Sequence, residues 1–126
     1  MSKLDIKHLK ELLVSKLLSK GFTIKESYKV KGFSGVTHEF DLLIIKENNC
    51  CAVNFCKTEV AIELIKAVAL YLDTKIPQII VCKEFKKNLV KMIEGSGIKV
   101  SIFSHSDVDE IVEKIMLILE NQRKTR

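Results

Sequence analysis

The chain has 126 residues, 47% apolar and 29% charged, which is enough for one packed core and too little for two. Pro 1, Gly 5 and Trp 0 exclude collagen-like, proline-rich and low-complexity chains, and the apolar share excludes intrinsic disorder. Lys+Arg 21 against Asp+Glu 16 gives +5 and an isoelectric point near 9.0, a balance that admits nucleic acid as partner without requiring it.

No apolar run approaches the roughly eighteen residues of a membrane span, and the opening MSKLDIKHLK carries charges where a signal peptide needs an apolar stretch. The expectation is one soluble, cytoplasmic domain over residues 1–126. Cys50, Cys51, Cys56 and Cys82 form no CxxC pair. Cysteine is commonly buried and cytosolic thiols stay reduced, so reduced thiols are expected, with neither zinc nor a disulfide.

Ser2 and Asp5 read as a capping box, and Ile6, Leu9, Leu13 and Leu17 recur at helical spacing up to Gly21, which predicts an amphipathic helix over residues 3–20. From Phe22 the period is two, through Ile24, Tyr28 and Val30, and Gly32 to Gly35 then mark a tight loop. THEFDLLIIK (37–46) and CCAVNFCK (50–57) are predicted strands joined by the turn Glu47–Asn49, apolar enough to be covered on two sides. A helical stripe of Ala61, Leu64, Ile65, Val68 and Leu72 follows, and Pro77 opens a short buried strand, QIIVC. A helix with Phe85, Leu89, Met92 and Ile93 precedes GSG, and Ile98 to Phe103 alternates as a fifth strand. Ser106 and Asp109 cap a last helix bearing Val108, Ile111, Val112, Ile115, Ile118 and Leu119. The order αβββαβαβα predicts an α/β fold, with one mixed five-stranded sheet and helices on both faces. No glycine-rich turn stands between a strand and a helix, so a Rossmann-type nucleotide site has no support.

Asp41 and Lys57 are the residues that need a reason, because a charge inside an apolar strand costs several kcal/mol unless it is satisfied. If the second and third strands pair through Glu47–Asn49, both fall at the open end of that hairpin. There a carboxylate ligates Mg²⁺ and a lysine steadies developing charge on a phosphate. The plainer alternative is a structural ion pair. No serine or cysteine nucleophile stands beside a plausible base.

With GFSGVTHEFD entering the second strand, AVNFCK in the third, and IIVCKEF and GSGIKV later, the chain resembles the PD-(D/E)xK nuclease superfamily of restriction-endonuclease-like fold, in particular its Mrr-like and archaeal Holliday-junction-resolvase-like members. The resemblance runs from about Leu9 to Phe103. It implies that Asp41 is the first metal-binding acid, that Lys57 is the catalytic lysine and that the Cys56 carbonyl is a backbone metal ligand. It further implies an accessory acid near Glu11 and a site role for His38. The second acid, two residues before the lysine, is replaced by Phe55, and strand alternation turns Asn54 to the other face. Glu39 shares a face with Asp41 and is a candidate migrated ligand.

Lys29, Lys31 and Ser34 around the glycine loop, and Lys83, Lys86 and Lys87 beyond the fourth strand, are candidate phosphate contacts, joined by Lys25, Lys91, Arg123, Lys124 and Arg126. Tyr28 and Phe33 are candidates to pack on nucleic acid. The last helix is apolar over a wide stripe, with Met116 and Leu117 outside its main face, which suggests a homodimer or a partner subunit. The leading expectation is a DNA-binding protein with a degenerate metal site. One alternative is an active Mg²⁺-dependent endonuclease, of restriction or junction-resolving type, with Glu11 or Glu39 as migrated acid; the other is a protein-interaction subunit.

Overall fold

The structure is a computed structural model that describes residues 6–93 and 95–124, with the side chains of 123 and 124 not described. The expected Ser2–Asp5 capping box and the basic side chains of Arg123, Lys124 and Arg126 lie outside this description. The elements are α1 (Ile6–Ser19), β1 (Thr23–Lys31), β2 (Thr37–Lys46), β3 (Asn49–Phe55), α2 (Val60–Thr74), β4 (Gln78–Cys82), α3 (Lys87–Ile93), β5 (Val100–Ser104) and α4 (Val108–Lys124). Their order is the expected αβββαβαβα.

Helix α1 ends where the sequence says it must. Gly21 takes φ +86°, its N–H donates to the Leu18 carbonyl and the Phe22 N–H to that of Leu17, a Schellman closure that favours glycine. The hairpin β2–β3 turns on Glu47 and Asn48, with Glu47 at φ 58°.

The sheet runs β1-β2-β3-β4-β5, antiparallel through β3 and parallel from β3 to β5. Both parallel crossovers step the same way across the sheet, so their right-handedness sets α2 and α3 on one face. Leu64 and Ala67 of α2 and Ile93 of α3 pack there on Ile80, Cys82, Val100 and Ile102. On the other face Leu9, Leu13 and Leu17 of α1 and Ile111, Val112 and Ile115 of α4 pack on Leu42, Ile44, Val53, Ile79 and Val81. Each fully buried leucine or isoleucine contributes about 1.5–3 kcal/mol.

Four details depart from expectation. The buried stripe of α2 is Leu64, Ala67, Val68 and Tyr71, while Ile62, Ile65 and Leu72 are exposed; an all-round apolar helix does not reveal from sequence which face is covered. Strand β3 stops at Phe55, two residues short. Helix α4 begins at Val108 rather than beside Ser106, with Asp107 accepting the Ser104 N–H. Finally, Cys56 and Cys82 are joined as a disulfide instead of remaining free thiols. The parallel pairing of Phe55 with Val81 carries the next residues into register, with Cα atoms 5.1 Å apart, inside the span a disulfide bridges. Cys51 is a free, fully buried thiol, and burial raises its pKa.

Candidate functional site

At Asp41 the sheet comes apart. The β2–β3 ladder begins at Leu42–Val53, and on the other side Ser27, opposite Asp41 in register, drops out of the β1–β2 ladder with a left-handed φ of 48°. Side chains replace the missing backbone pairing. The Asp41 N–H donates to Asn54 Oδ1 at 2.9 Å, and the Phe55 N–H donates to Asp41 Oδ2 at 2.9 Å. Asn54 Nδ2 donates in turn to Gln78 Oε1 at 3.2 Å, and Gln78 Nε2 to the Ile76 carbonyl at 2.8 Å. This polar chain satisfies groups that would otherwise be costly inside the sheet.

Lys57, just past the end of β3, reaches back to Asp41 Oδ1 at 3.0 Å, as expected for the open end of the hairpin. Its backbone N–H donates to Glu63 Oε2 at 2.6 Å, and Lys66 Nζ lies 3.4 Å from Glu63 Oε1. Burial pushes the Glu63 carboxyl up, but the Lys57 N–H and the Lys66 ammonium outweigh it and hold the group below the ordinary carboxylate range. Glu39, Asp41, Asn54, Lys57, Glu63 and Lys66 line a cleft of about 120 Å³ that opens on the α2 side.

The cleft corrects one expectation. Asn54 does not face away from Asp41 but lines the cleft and is bonded to it, while the Phe55 ring is packed in the core with α1 and α4. Alternation along β3 is intact: the hairpin register that pairs Lys46 with Asn49 and Leu42 with Val53, continued outward, sets residue 54 opposite 41, with Phe55 on the other face beside Val53. Glu11 is exposed on α1, whose buried stripe covers the opposite face, and it does not line the cleft. Glu39 does line it and is exposed. The Cys56 residue is tied to Cys82, and its N–H donates to the Val81 carbonyl.

His38 belongs to a second cluster. Its Nε2 lies 2.6 Å from Asp73 Oδ2, and Asp73 also accepts the Ser34 N–H at 2.8 Å and the Ser34 hydroxyl at 2.7 Å. The Phe33 N–H donates to the Asp73 carbonyl at 2.8 Å. An added Cβ on Gly32 would fall inside contact distance of the Asp73 carboxylate, so glycine is needed for close approach. The hydrogen bonds from His38 and Ser34 bring the Asp73 pKa down to about 2. Ser34 therefore holds the loop to α2, and the loop presents Phe33, 80% exposed.

Lys29 and Lys31 are exposed on edge strand β1, and Lys86 and Lys87 are exposed around the start of α3. Lys83 follows Cys82 just as Lys57 follows Cys56, so the disulfide brings both lysines out at the same end of the parallel strands. His105 stands at that end too; burial, and then the Lys83 ammonium, lower its pKa. None of Lys29, Lys31, Lys83, Lys86 and Lys87 lines the cleft; among the described residues its cations are Lys57 and Lys66.

Sequence reasoning missed Glu63, Lys66, Asp73 and Gln78. Asp73 did carry a signal, since an acid in the last turn of a helix opposes the macrodipole and calls for a partner. Gln78 carried one as well, a polar residue opening a wholly buried strand.

No family model matches the chain. An uncharacterized protein of Archaeoglobus fulgidus is 26% identical over 119 residues, covering 86% of this chain and 93% of that protein. The crystal structure of a protein of unknown function, AF1548, matches with a TM-score of 0.58 and 20% identity over 79% of this chain, which spans 58% of that structure's length. The likeness extends to the fold.

Proposed function

We propose that this chain is a DNA-binding protein of the PD-(D/E)xK nuclease fold whose cleft has lost metal-dependent cleavage. The observation that carries the reading is the Asp41–Lys57 contact at the diverging ends of β2 and β3, in an αβββαβ order. The residues present fit Mg²⁺ poorly. No group of three His, Cys, Asp or Glu able to hold a metal occurs among the described residues. Both Asp41 oxygens and both Glu63 oxygens already face N–H or ammonium donors, and the neutral Asn54 amide is a weaker ligand for a hard cation than a carboxylate. What the cleft offers a phosphodiester is the Lys57 and Lys66 ammonium groups, 69% and 63% exposed but each paired with a carboxylate, so the exposed lysines of β1 and α3 supply the larger share of backbone contacts. The reading places the protein with the genome, in the cytoplasm.

The test is a salt series of anisotropy titrations on a short duplex and a four-way junction. Affinity is expected to fall log-linearly with salt, and Lys57→Ala and Lys66→Ala are each expected to flatten the slope by roughly 0.9. Supercoiled plasmid with Mg²⁺ or Mn²⁺ should show no nicking above the Asp41→Ala control; nicking that Asp41→Ala abolishes would establish the enzyme instead. A second reading is favoured by Ile62, Ile65 and Leu72, 47%, 70% and 52% exposed on α2 beside the cleft: a protein-interaction module. Absent or salt-independent DNA binding would select it.

A further inference from the structure

The two edges of the sheet are treated differently. Edge strand β1 carries Lys25, Glu26, Lys29 and Lys31 and a kink at Ser27, devices that discourage further pairing. Strand β5, VSIFS, has no charge, proline or bulge. A groove of about 550 Å³ runs along it, walled by Val90, Ile93 and Ile98 on one side and by Lys114 and Ile118 of α4 on the other.

The backbone of β5 decides what fits there. The Gln78 N–H donates to the Lys99 carbonyl and the His105 N–H to the Cys82 carbonyl. Parallel pairing then turns the backbone of residues 99, 101, 103 and 105 toward β4 and that of Val100, Ile102 and Ser104 outward. Ser104 spends its N–H on the Asp107 carboxylate and its carbonyl on the Asp107 N–H, and the Val100 N–H donates to the Ile98 carbonyl. Among the described residues this leaves Ile102 as the position with both outward groups open.

We infer that β5 is the interface with a second copy of this chain, paired antiparallel about a two-fold axis at Ile102. In such a pair the residue on the axis faces itself and exchanges both hydrogen bonds, so the single open position on each copy satisfies the other. The same register sets Ser101 opposite the partner's Phe103 and Val100 opposite the partner's Ser104. The resulting ten-stranded sheet keeps both α2 faces on one side, with the two β3 strands about 24 Å apart across it. The inference does not depend on DNA binding.

Sedimentation of the purified chain at tens of micromolar tests it. The expected mass is twice the 14.3 kDa of the chain. Ile102→Pro removes the outward donor while sparing the ladder to β4, and Ser101→Lys sets a charge on the groove face of the strand without touching Ile102; both are expected to be monomers with wild-type circular dichroism. Should Ile102→Pro fail to fold, Ser101→Lys alone decides. A monomeric wild type overturns the inference. So does a dimer that both variants leave intact, and one dissolved by Ile65→Lys instead would put the interface on α2.

Discussion

Asp41 and Lys57 form one ion pair, but the two residues do not matter equally. Lys57 is 69% exposed and contributes a water-screened charge, so Lys57→Ala is expected to cost under about 1 kcal/mol of stability. Asp41 also accepts the Phe55 N–H at the point where the ladder has opened. Asp41→Ala strands that donor and is expected to cost about 1–3 kcal/mol in urea unfolding, whatever happens to DNA binding. Equal costs would mean that Asp41 has no role in closing the sheet. Asp73 is the other residue whose charge is used structurally. Its pKa is lowered, so its contribution is complete above the ordinary carboxylate range and is lost as pH falls toward about 2. Asp73→Asn should therefore cost most at neutral pH and progressively less as pH falls from about 4 toward 2, which flattens the acid limb of the stability curve. Gly32→Ala should destabilise the native background more than the Asp73→Ser background, since the clash is with that carboxylate.

At the scale of elements, the end of β3 is held from two sides. The Cys56–Cys82 disulfide ties it to β4, and the Lys57 N–H to Glu63 bond ties it to α2. The disulfide closes 26 residues of chain, and the loop-entropy relation gives about 3–4 kcal/mol for such a loop. Reductant should therefore lower the thermal midpoint by roughly 10 °C, and Cys82→Ser should melt low and ignore reductant. Identical melts with and without reductant would show the thiols free. Helix α2 is the element with most unspent surface. It covers the sheet with Leu64, Ala67 and Tyr71, contributes Glu63 and Lys66 to the cleft, anchors the glycine loop through Asp73, and still exposes Ile62 and Ile65.

For the whole molecule, the meander and the two right-handed crossovers produce a three-layer arrangement with one open, uncharged edge. Pairing through that edge makes stability depend on concentration, so the thermal midpoint of the wild type should rise with protein concentration while that of Ser101→Lys stays constant. The test distinguishes the second copy from an edge that is merely short. No helix among the described residues is long and apolar enough to cross a membrane.

Element order and sheet content were legible in sequence because they rest on local signals: the 3.6 and 2 periods, Gly21, Pro77 and the Glu47 turn. The convergence of Asp41 and Lys57 was legible too, since a hairpin with a known turn fixes which residues share its open end. What only the tertiary structure decided lies where the regular ladder stops. Glu63 and Asp73 arrived from a helix whose rotation no local pattern fixes, because α2 is apolar on more than one face. Long-range pairs such as Cys56–Cys82 follow from which strands become neighbours, and that choice is made by burying two sheet faces at once rather than by any short stretch of chain.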